Sequence, residues 1–326
     1  MVLQKIWDAL VSDGFNLPVL FCFLIGAYEG LVVLQMFLTL IYRYALRSEI
    51  NFKKYGKWAV VTGATDGIGK AYCEELAARG LNVFLLSRTE SKLIEASKEI
   101  SSKYGVETNH MAVDFSKVPK EMWVAIREQM DKLDVGILVN NVGCSYEHYE
   151  FLHLISSETV DQLLELNVRS TTEMTRAVLP GMVDRKRGIV VCIGSGVGSL
   201  LPSSPLLAAY AGTKAYIEQF VKCCSVEYRD KNIIFQDQAP LFVATKMSKI
   251  RKETLSVPSP NNWVASAIRG VGFETLTPGY WFHSLMWPFV TAVPSRISEG
   301  YFFILAKSLR ARALRKKQGG GTKKTS

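Results

Sequence analysis

The stretch from Trp58 to Gly69, Trp-Ala-Val-Val-Thr-Gly-Ala-Thr-Asp-Gly-Ile-Gly, constrains the fold more than any other part of the chain. Trp58 to Thr62 reads as a short buried strand. It runs straight into glycines spaced G-x-x-x-G-x-G, and residues 70–79 then follow a helical pattern that Gly80 stops. A strand, a glycine turn and a helix start in that order can hold a pyrophosphate. The glycines let the backbone approach the phosphates, and the helix N-terminus offers unpaired N–H groups and the positive end of its dipole.

The rest of the middle region repeats the theme. Residues 82–87 read as a second strand, 111–113 as a third ending at Asp114, and 136–139 as a fourth running into Asn140-Asn141-Val142-Gly143. Residues 188–193 and 233–238 read as a fifth and a sixth. Helical patterns fill the gaps at 89–103, 120–130 and 157–179, the last interrupted at Asn167 and closed by Pro180, and again from Tyr210 to about Tyr228. Alternating β and α units of this kind predict the α/β class, a Rossmann-like doubly wound parallel sheet covered on both faces.

Residues 17–42 form an almost unbroken apolar run, longer than the ~20 residues a helix needs to cross a bilayer. Only Lys5 precedes it, whereas Arg43, Arg47, Lys53, Lys54 and Lys57 follow, so the charge bias places the N-terminus in a lumen and the next domain in the cytosol. Glu29 lies near the middle of the run. It reads as protonated, paired with a neighbouring helix, or marking a break between two shorter segments. The expected organisation is an anchor over residues 1–50, a nucleotide-binding domain over 51–275, and an apolar, basic extension over 276–326. The net charge of +9 gathers after the first apolar run and at the C-terminus, which suits a membrane surface or an anionic ligand. No nucleic-acid-reading motif accompanies it. The six cysteines form no C-x-x-C pair and mostly sit in apolar patterns, so reduced thiols are expected, and no metal site is read.

Tyr210 and Lys214 stand four residues apart and share a helix face. A nearby ammonium favours a phenolate, so Lys214 is expected to lower the Tyr210 pKa and ready the phenol to protonate a developing alkoxide. Ser195, just past the fifth strand, is placed to hold the same oxygen. Together they suit reduction of a ketone by a hydride donor. The second strand ends in Ser87-Arg88 rather than a carboxylate, so a 2′-phosphate is the better ligand and NADPH/NADP+ the expected cofactor.

These motifs, Thr62-Gly63-x-x-x-Gly67-Ile68-Gly69, Asn140-Asn141-Val142-Gly143, Ser195 and Tyr210-x-x-x-Lys214, resemble in order and spacing the short-chain dehydrogenase/reductase family. The N-terminal span, Ser87-Arg88 and Pro240-Leu241-Phe242-Val243-Ala244-Thr245-Lys246 are most similar to its membrane-anchored very-long-chain 3-oxoacyl-CoA reductases and the related 17-beta-hydroxysteroid dehydrogenases. The resemblance implies that Tyr210 donates the proton and Ser195 positions the carbonyl. It implies that Lys214 tunes Tyr210 and grips the nicotinamide ribose, while Asn167 holds the relay to Lys214. Gly63, Gly67, Ile68 and Gly69, with Thr65 and Asp66 between them, would line the pyrophosphate. Arg88 would take the 2′-phosphate, Asp114 the adenine, Asn140 and Gly143 the adenosine side, and Thr245 the carboxamide. Two positions depart from the family pattern: Val142 replaces the usual alanine, and Leu241 replaces the common glycine after Pro240.

Residues 281–293 are apolar but carry His283 and Pro288, and 301–306 form a second apolar patch followed by Arg310, Arg312, Arg315, Lys316 and Lys317. The pattern suggests an element lying at the membrane interface with its basic tail on anionic lipid; a lid over a greasy substrate channel is the alternative. His283 reads as a packed or interfacial histidine, with no partner that would make it catalytic. Residues 318–326 read as disordered, and Lys323-Lys324 resembles the dilysine signal of endoplasmic-reticulum membrane proteins. The expected activity is NADPH-dependent reduction of a long-chain 3-oxoacyl-CoA in fatty-acid elongation at the endoplasmic reticulum membrane, by a homo-oligomer working beside other elongation enzymes. Keto-steroid reduction and an inactive membrane scaffold are the alternatives.

Overall fold

A computed structural model of the chain describes residues 4, 5 and 17–321. They divide into two units, separated between Arg47 and Ser48.

In the first unit an unbroken helix spans Leu17–Ile41 and passes into a wider, π-type turn at Tyr42–Leu46. At ~1.5 Å per residue, its 25 residues exceed the ~30 Å hydrocarbon thickness of a bilayer. Phe21, Leu24, Leu31 and Leu38 all point outward, as lipid-facing side chains do. Among the described residues this is the one helix long and apolar enough to cross a membrane. Its continuity removes the reading of Glu29 as a break between two segments.

The second unit is built on a parallel sheet of seven strands: β1 (Trp58–Thr62), β2 (Asn82–Ser87), β3 (Thr108–Ala112), β4 (Val135–Asn140), β5 (Gly188–Ile193), β6 (Ile233–Gln238) and β7 (Leu276–Thr277). Their order is β3-β2-β1-β4-β5-β6-β7, every pair parallel. Strand residues alternate between two buried layers. Ala59, Val61, Val83 and Leu85 face the helices Gly67–Ala78, Glu90–Tyr104 and Pro260–Ala267. Val60, Phe84, Leu138 and Val190 face Lys120–Asp131, Ser170–Arg185 and Ala208–Glu227. Burial on both faces explains why the strands read as continuous apolar runs rather than alternating ones. The strand order reverses between β1 and β4, which opens a crevice beyond their C-terminal ends.

The sequence reading needs correction in several places. β3 lies at 108–112, not 111–113, because its polar residues sit on a half-buried edge where apolar pattern is a poor guide. β7 is only two residues long and shows no pattern at all. Pro180 does not close its helix. A proline in a helix removes one backbone bond, and the chain continues to Arg185 before Lys186 turns left-handed at φ 51° and ends it. The interruption expected at Asn167 is real, as a π-helical turn over Leu164–Arg169. The C-terminal extension forms the helices Trp281–Ala292 and Ser295–Gly321. The second takes in residues 318–321, which the sequence reads as disordered, while Lys323 and Lys324 lie outside the described residues.

Candidate active site

The glycine turn is shaped by contacts a side chain would break. A Cβ on Gly69 would collide with the Gly63 carbonyl oxygen, and one on Gly63 would come within 2.8 Å of Asn141 Nδ2. Gly63 and Gly67 have φ of 66° and 54°, in the left-handed region. Asn141 locks the turn to β4: its Nδ2 donates to the Thr62 carbonyl at 2.9 Å, and its N–H donates to Thr62 Oγ1 at 2.9 Å. Asp66 caps the following helix by accepting the Gly67 N–H at 2.8 Å and forms an ion pair with Lys246. That hydrogen bond from Lys246 holds the Asp66 carboxyl below the ordinary carboxylate range. The pair clasps the turn to the loop that carries Thr245, whose Cγ2 lies 3.7 Å from where a Cβ of Gly67 would stand. Ile68 packs its side chain into the core below.

Beside this turn, Thr65 Oγ1 and Ser87 Oγ are 2.9 Å apart, which joins the turn to the end of β2. Arg88 follows, exposed. The Asp114 carboxyl is held low, first by its 2.7 Å bond from Ser116 Oγ and further by the charge of Arg88. A close backbone turn at a helix start, with an exposed guanidinium at the β2 end and a carboxylate at the β3 end, fits a dinucleotide bearing a 2′-phosphate. Asn140 is placed differently from the expectation. Its side chain is buried, with Nδ2 donating to Thr175 Oγ1 at 2.9 Å, and so is turned into the core.

Three of the residues expected to be catalytic follow β5 and line the next long helix. Ser195 follows β5 and caps a short helical turn, its Oγ accepting the Val197 N–H at 3.3 Å. Tyr210 and Lys214 occupy one face of the helix Ala208–Glu227, and all three side chains are buried. Lys214 Nζ donates to the Ile193 carbonyl at 2.8 Å. The expected lowering of the Tyr210 pKa by Lys214 is not found. Burial raises the phenol, a hydrogen bond with Ser195 offsets part of the rise, and the ammonium is turned to β5 instead. Burial pushes Lys214 down to about 8.

Asn167 ties these parts together from inside the π turn. Its Oδ1 accepts the Cys144 N–H at 2.7 Å, and its Nδ2 donates to the Cys144 carbonyl at 3.0 Å and to Thr213 Oγ1 at 2.9 Å. A Cβ on Gly143 would meet Asn167 Oδ1 at 2.9 Å and Lys214 Nζ at 3.6 Å, so glycine is what lets both groups reach this point. The two departures from family pattern are absorbed. Val142 packs against the core, and Leu241 fills the space above Gly196, where a Cβ would lie 2.6 Å from Leu241 Cδ2.

Several contributors escape sequence reasoning. Tyr146, Leu163 and Leu207 form an apolar wall around Tyr210, with Cys144, Tyr149 and Val197 packed on it. Tyr146 Oη accepts the Ala209 N–H at 3.0 Å and so caps a helix whose own N-cap residue offers no side-chain bond. Leu206 precedes that helix at φ 65°, a strained value for leucine, and its carbonyl accepts the Glu150 N–H at 2.9 Å. Glu150 pairs in turn with Arg310 of the C-terminal helix at 2.6 Å. His283 is fully buried, the packed one of its two expected placements: Nδ1 accepts the Leu241 N–H at 3.4 Å and Nε2 faces the Ser256 carbonyl at 3.1 Å.

A sequence profile described as short chain dehydrogenase matches residues 57–256, the span that holds the glycine turn, Ser195, Tyr210 and Lys214. The chain belongs to the short-chain dehydrogenase family. A very-long-chain 3-oxoacyl-CoA reductase of Rattus norvegicus is 45% identical over 265 residues, covering 81% of this chain and 84% of that protein. A Homo sapiens protein named inactive hydroxysteroid dehydrogenase-like protein 1 is 42% identical over 266 residues, covering 80% of each. Among solved structures, a 7beta-hydroxysteroid dehydrogenase superposes with a TM-score of 0.67 at 23% identity, over 77% of this chain and 98% of that one, which shows the shared fold. This short-chain dehydrogenase is an oxidoreductase of the CH–OH/C=O couple, in a family that uses nicotinamide cofactors.

Proposed function

We propose that the protein reduces a long-chain 3-oxoacyl-CoA to the 3-hydroxyacyl-CoA with NADPH, as the ketone-reducing step of fatty-acid elongation at the endoplasmic reticulum. The observation that carries this reading is the meeting of the Ser195 and Tyr210 hydroxyls against an apolar wall, in a chain 45% identical to a reductase of that name. The cofactor supplies the hydride. Ser195 holds the carbonyl oxygen and Tyr210 protonates it. Lys214 and Asn167 keep the nicotinamide end and the helix in place. Arg88 at the end of β2 favours NADPH over NADH.

The anchor helix would hold the second unit at a membrane, facing the cytosol as the flanking charges indicate. In the C-terminal helix, Ile297, Tyr301 and Ile304 share one exposed face, with Lys307, Arg312, Arg315 and Lys316 beyond. That arrangement favours an interfacial helix on anionic lipid. A homo-oligomer and neighbouring elongation enzymes belong to the same proposal.

The test is NADPH consumption by the full chain with long-chain 3-oxoacyl-CoA and keto-steroids side by side. Turnover of the acyl-CoA is expected, together with its loss in Tyr210→Phe while NADPH still binds. Faster steroid turnover would replace the substrate. A relative at 42% identity is named inactive, so an inactive chain is the second reading, and no turnover of either substrate by the wild-type chain would support it.

A further inference from the structure

β6, the last full strand before two-residue β7, ends in Gln236-Asp237-Gln238, three buried polar residues. The glutamines are satisfied. Tyr72 donates to Gln238, whose Nε2 donates to Gln236 Oε1 at 2.8 Å. Gln236 Nε2 donates to the carbonyls of Gly270 and Glu274 at 2.9 and 2.7 Å. Asp237, on the opposite face of the strand, is not. It is 1% exposed, and neither carboxylate oxygen completes a hydrogen bond with any described residue. The Gly194 N–H bonds the Gln238 carbonyl at 2.9 Å and gives the acid only a secondary stabilisation. A Cβ on Gly194 would collide with Asp237 Oδ1, so the glycine makes room for the acid.

The sheet register places this acid in a row. Asn140 stands beside Cys192, and Cys192 beside Asp237, on three adjacent strands. Neighbours in parallel register face the same way. Asn140 Nδ2 reaches Cys192 Sγ at 3.6 Å, while Asn140 Oδ1 is buried without a partner. The row therefore holds three acceptor oxygens unsatisfied among the described residues, that of Asn140 beside the helix Ser170–Arg185 and those of Asp237 under the helix Ala208–Glu227. The titratable groups facing Asp237 from that helix are Lys214, Glu218 and Lys222, and from β5 the Cys192 thiol. Of these, Lys214 offsets the burial of the acid most, and Asp237 is in turn the charge that most offsets the burial of Lys214. A buried ammonium bonded only to one carbonyl tends to lose its proton. Burial raises Asp237 to about 7, so above that pH it is a carboxylate behind the ammonium and opposes that loss.

We propose that Asp237 is a positioning residue for this site: it keeps Lys214 in its ammonium form, aimed past Ile193, while Tyr210 gives up and regains its proton. The inference rests on Lys214 serving the reaction as proposed above. Two readouts separate a failure of one from a failure of the other: the pH profile of kcat/KM, and the pH profile of NADPH affinity, which needs no turnover.

Both are measured on the full chain as wild type, Asp237→Asn and Asp237→Ser, from pH 6 to pH 10. Without the carboxylate, Lys214 deprotonates earlier. The alkaline limb of both profiles is then expected to move down by about one pH unit in both variants. Limbs that stay in place, or move up, overturn the proposal. So does a uniform fall at every pH with a lowered Tm, which is the mark of a structural role alone. A shift in NADPH affinity without turnover in any form would uphold Asp237 and Lys214 as a pair and reject the proposed substrate.

Discussion

Replacing Asn167 with alanine should cost more stability than any exposed change of similar size, and the structure sets the amount. The side chain is completely buried and makes bonds of 2.7, 3.0 and 2.9 Å to the Cys144 N–H, the Cys144 carbonyl and Thr213 Oγ1. Thr213 keeps its 2.8 Å bond to the Tyr210 carbonyl, so its loss is partial. The two Cys144 backbone groups have no such reserve. Each buried polar group left unsatisfied costs about 1–3 kcal/mol. Cys144 is half-buried, which argues for the lower part of that range and a total of about 3 kcal/mol. For a domain of this size that corresponds to a Tm lower by about 6–12 °C. Thermal unfolding of the full chain in detergent, followed by intrinsic fluorescence, measures it. Activity should fall as well, because Asn167 Oδ1 and Lys214 Nζ converge on Gly143. An Asn167→Ala protein that melts within about 2 °C of wild type would refute the claim that these bonds hold the site together.

Arg88→Ala should raise the KM for NADPH by about 10–100-fold, the loss of one hydrogen bond to a charged group, and leave NADH use unchanged; equal effects on both cofactors would remove Arg88 from the 2′-phosphate. His283 gives a pH prediction. Burial holds its pKa below the ordinary value, so the unfolded chain binds the proton more readily than the folded one. Its contribution is complete above the free-histidine value of about 6.5 and is lost as pH falls from there toward the lowered folded value. The Tm difference between wild type and His283→Gln should therefore shrink from pH 7.5 to pH 5. A difference that is constant with pH contradicts the assignment.

Local pattern sufficed wherever local chemistry decides. β1, β2, β5 and β6 lie where the apolar runs put them, and the glycine turn follows β1 as read. What escaped depends on contacts distant in sequence. β7 has two residues and exists because β6 offers an edge. Tyr146 caps a helix more than sixty residues away. The spacing of Tyr210 and Lys214 gave their shared face, but not the direction of the ammonium, which the Ile193 carbonyl captures. Burial then outweighs the expected attraction and raises the phenol. Pattern left His283 open between a packed and an interfacial place, because both of its partners are backbone atoms, which no side-chain pattern records.

The wide turn at Leu164–Arg169 lets a single long helix serve two neighbours. Upstream of and within it, Leu163 and Asn167 address the Tyr210 helix; downstream, Thr171 and Thr175 address Asn140 on β4. An ordinary helix advances each residue by about 100°. Excising one residue from the turn would close it to an ordinary α turn, and inserting one elsewhere in the helix would swing everything beyond it through that angle. Either the threonines or the asparagine would then face the wrong way, so this segment should tolerate exchanges of side chain far better than a change of length.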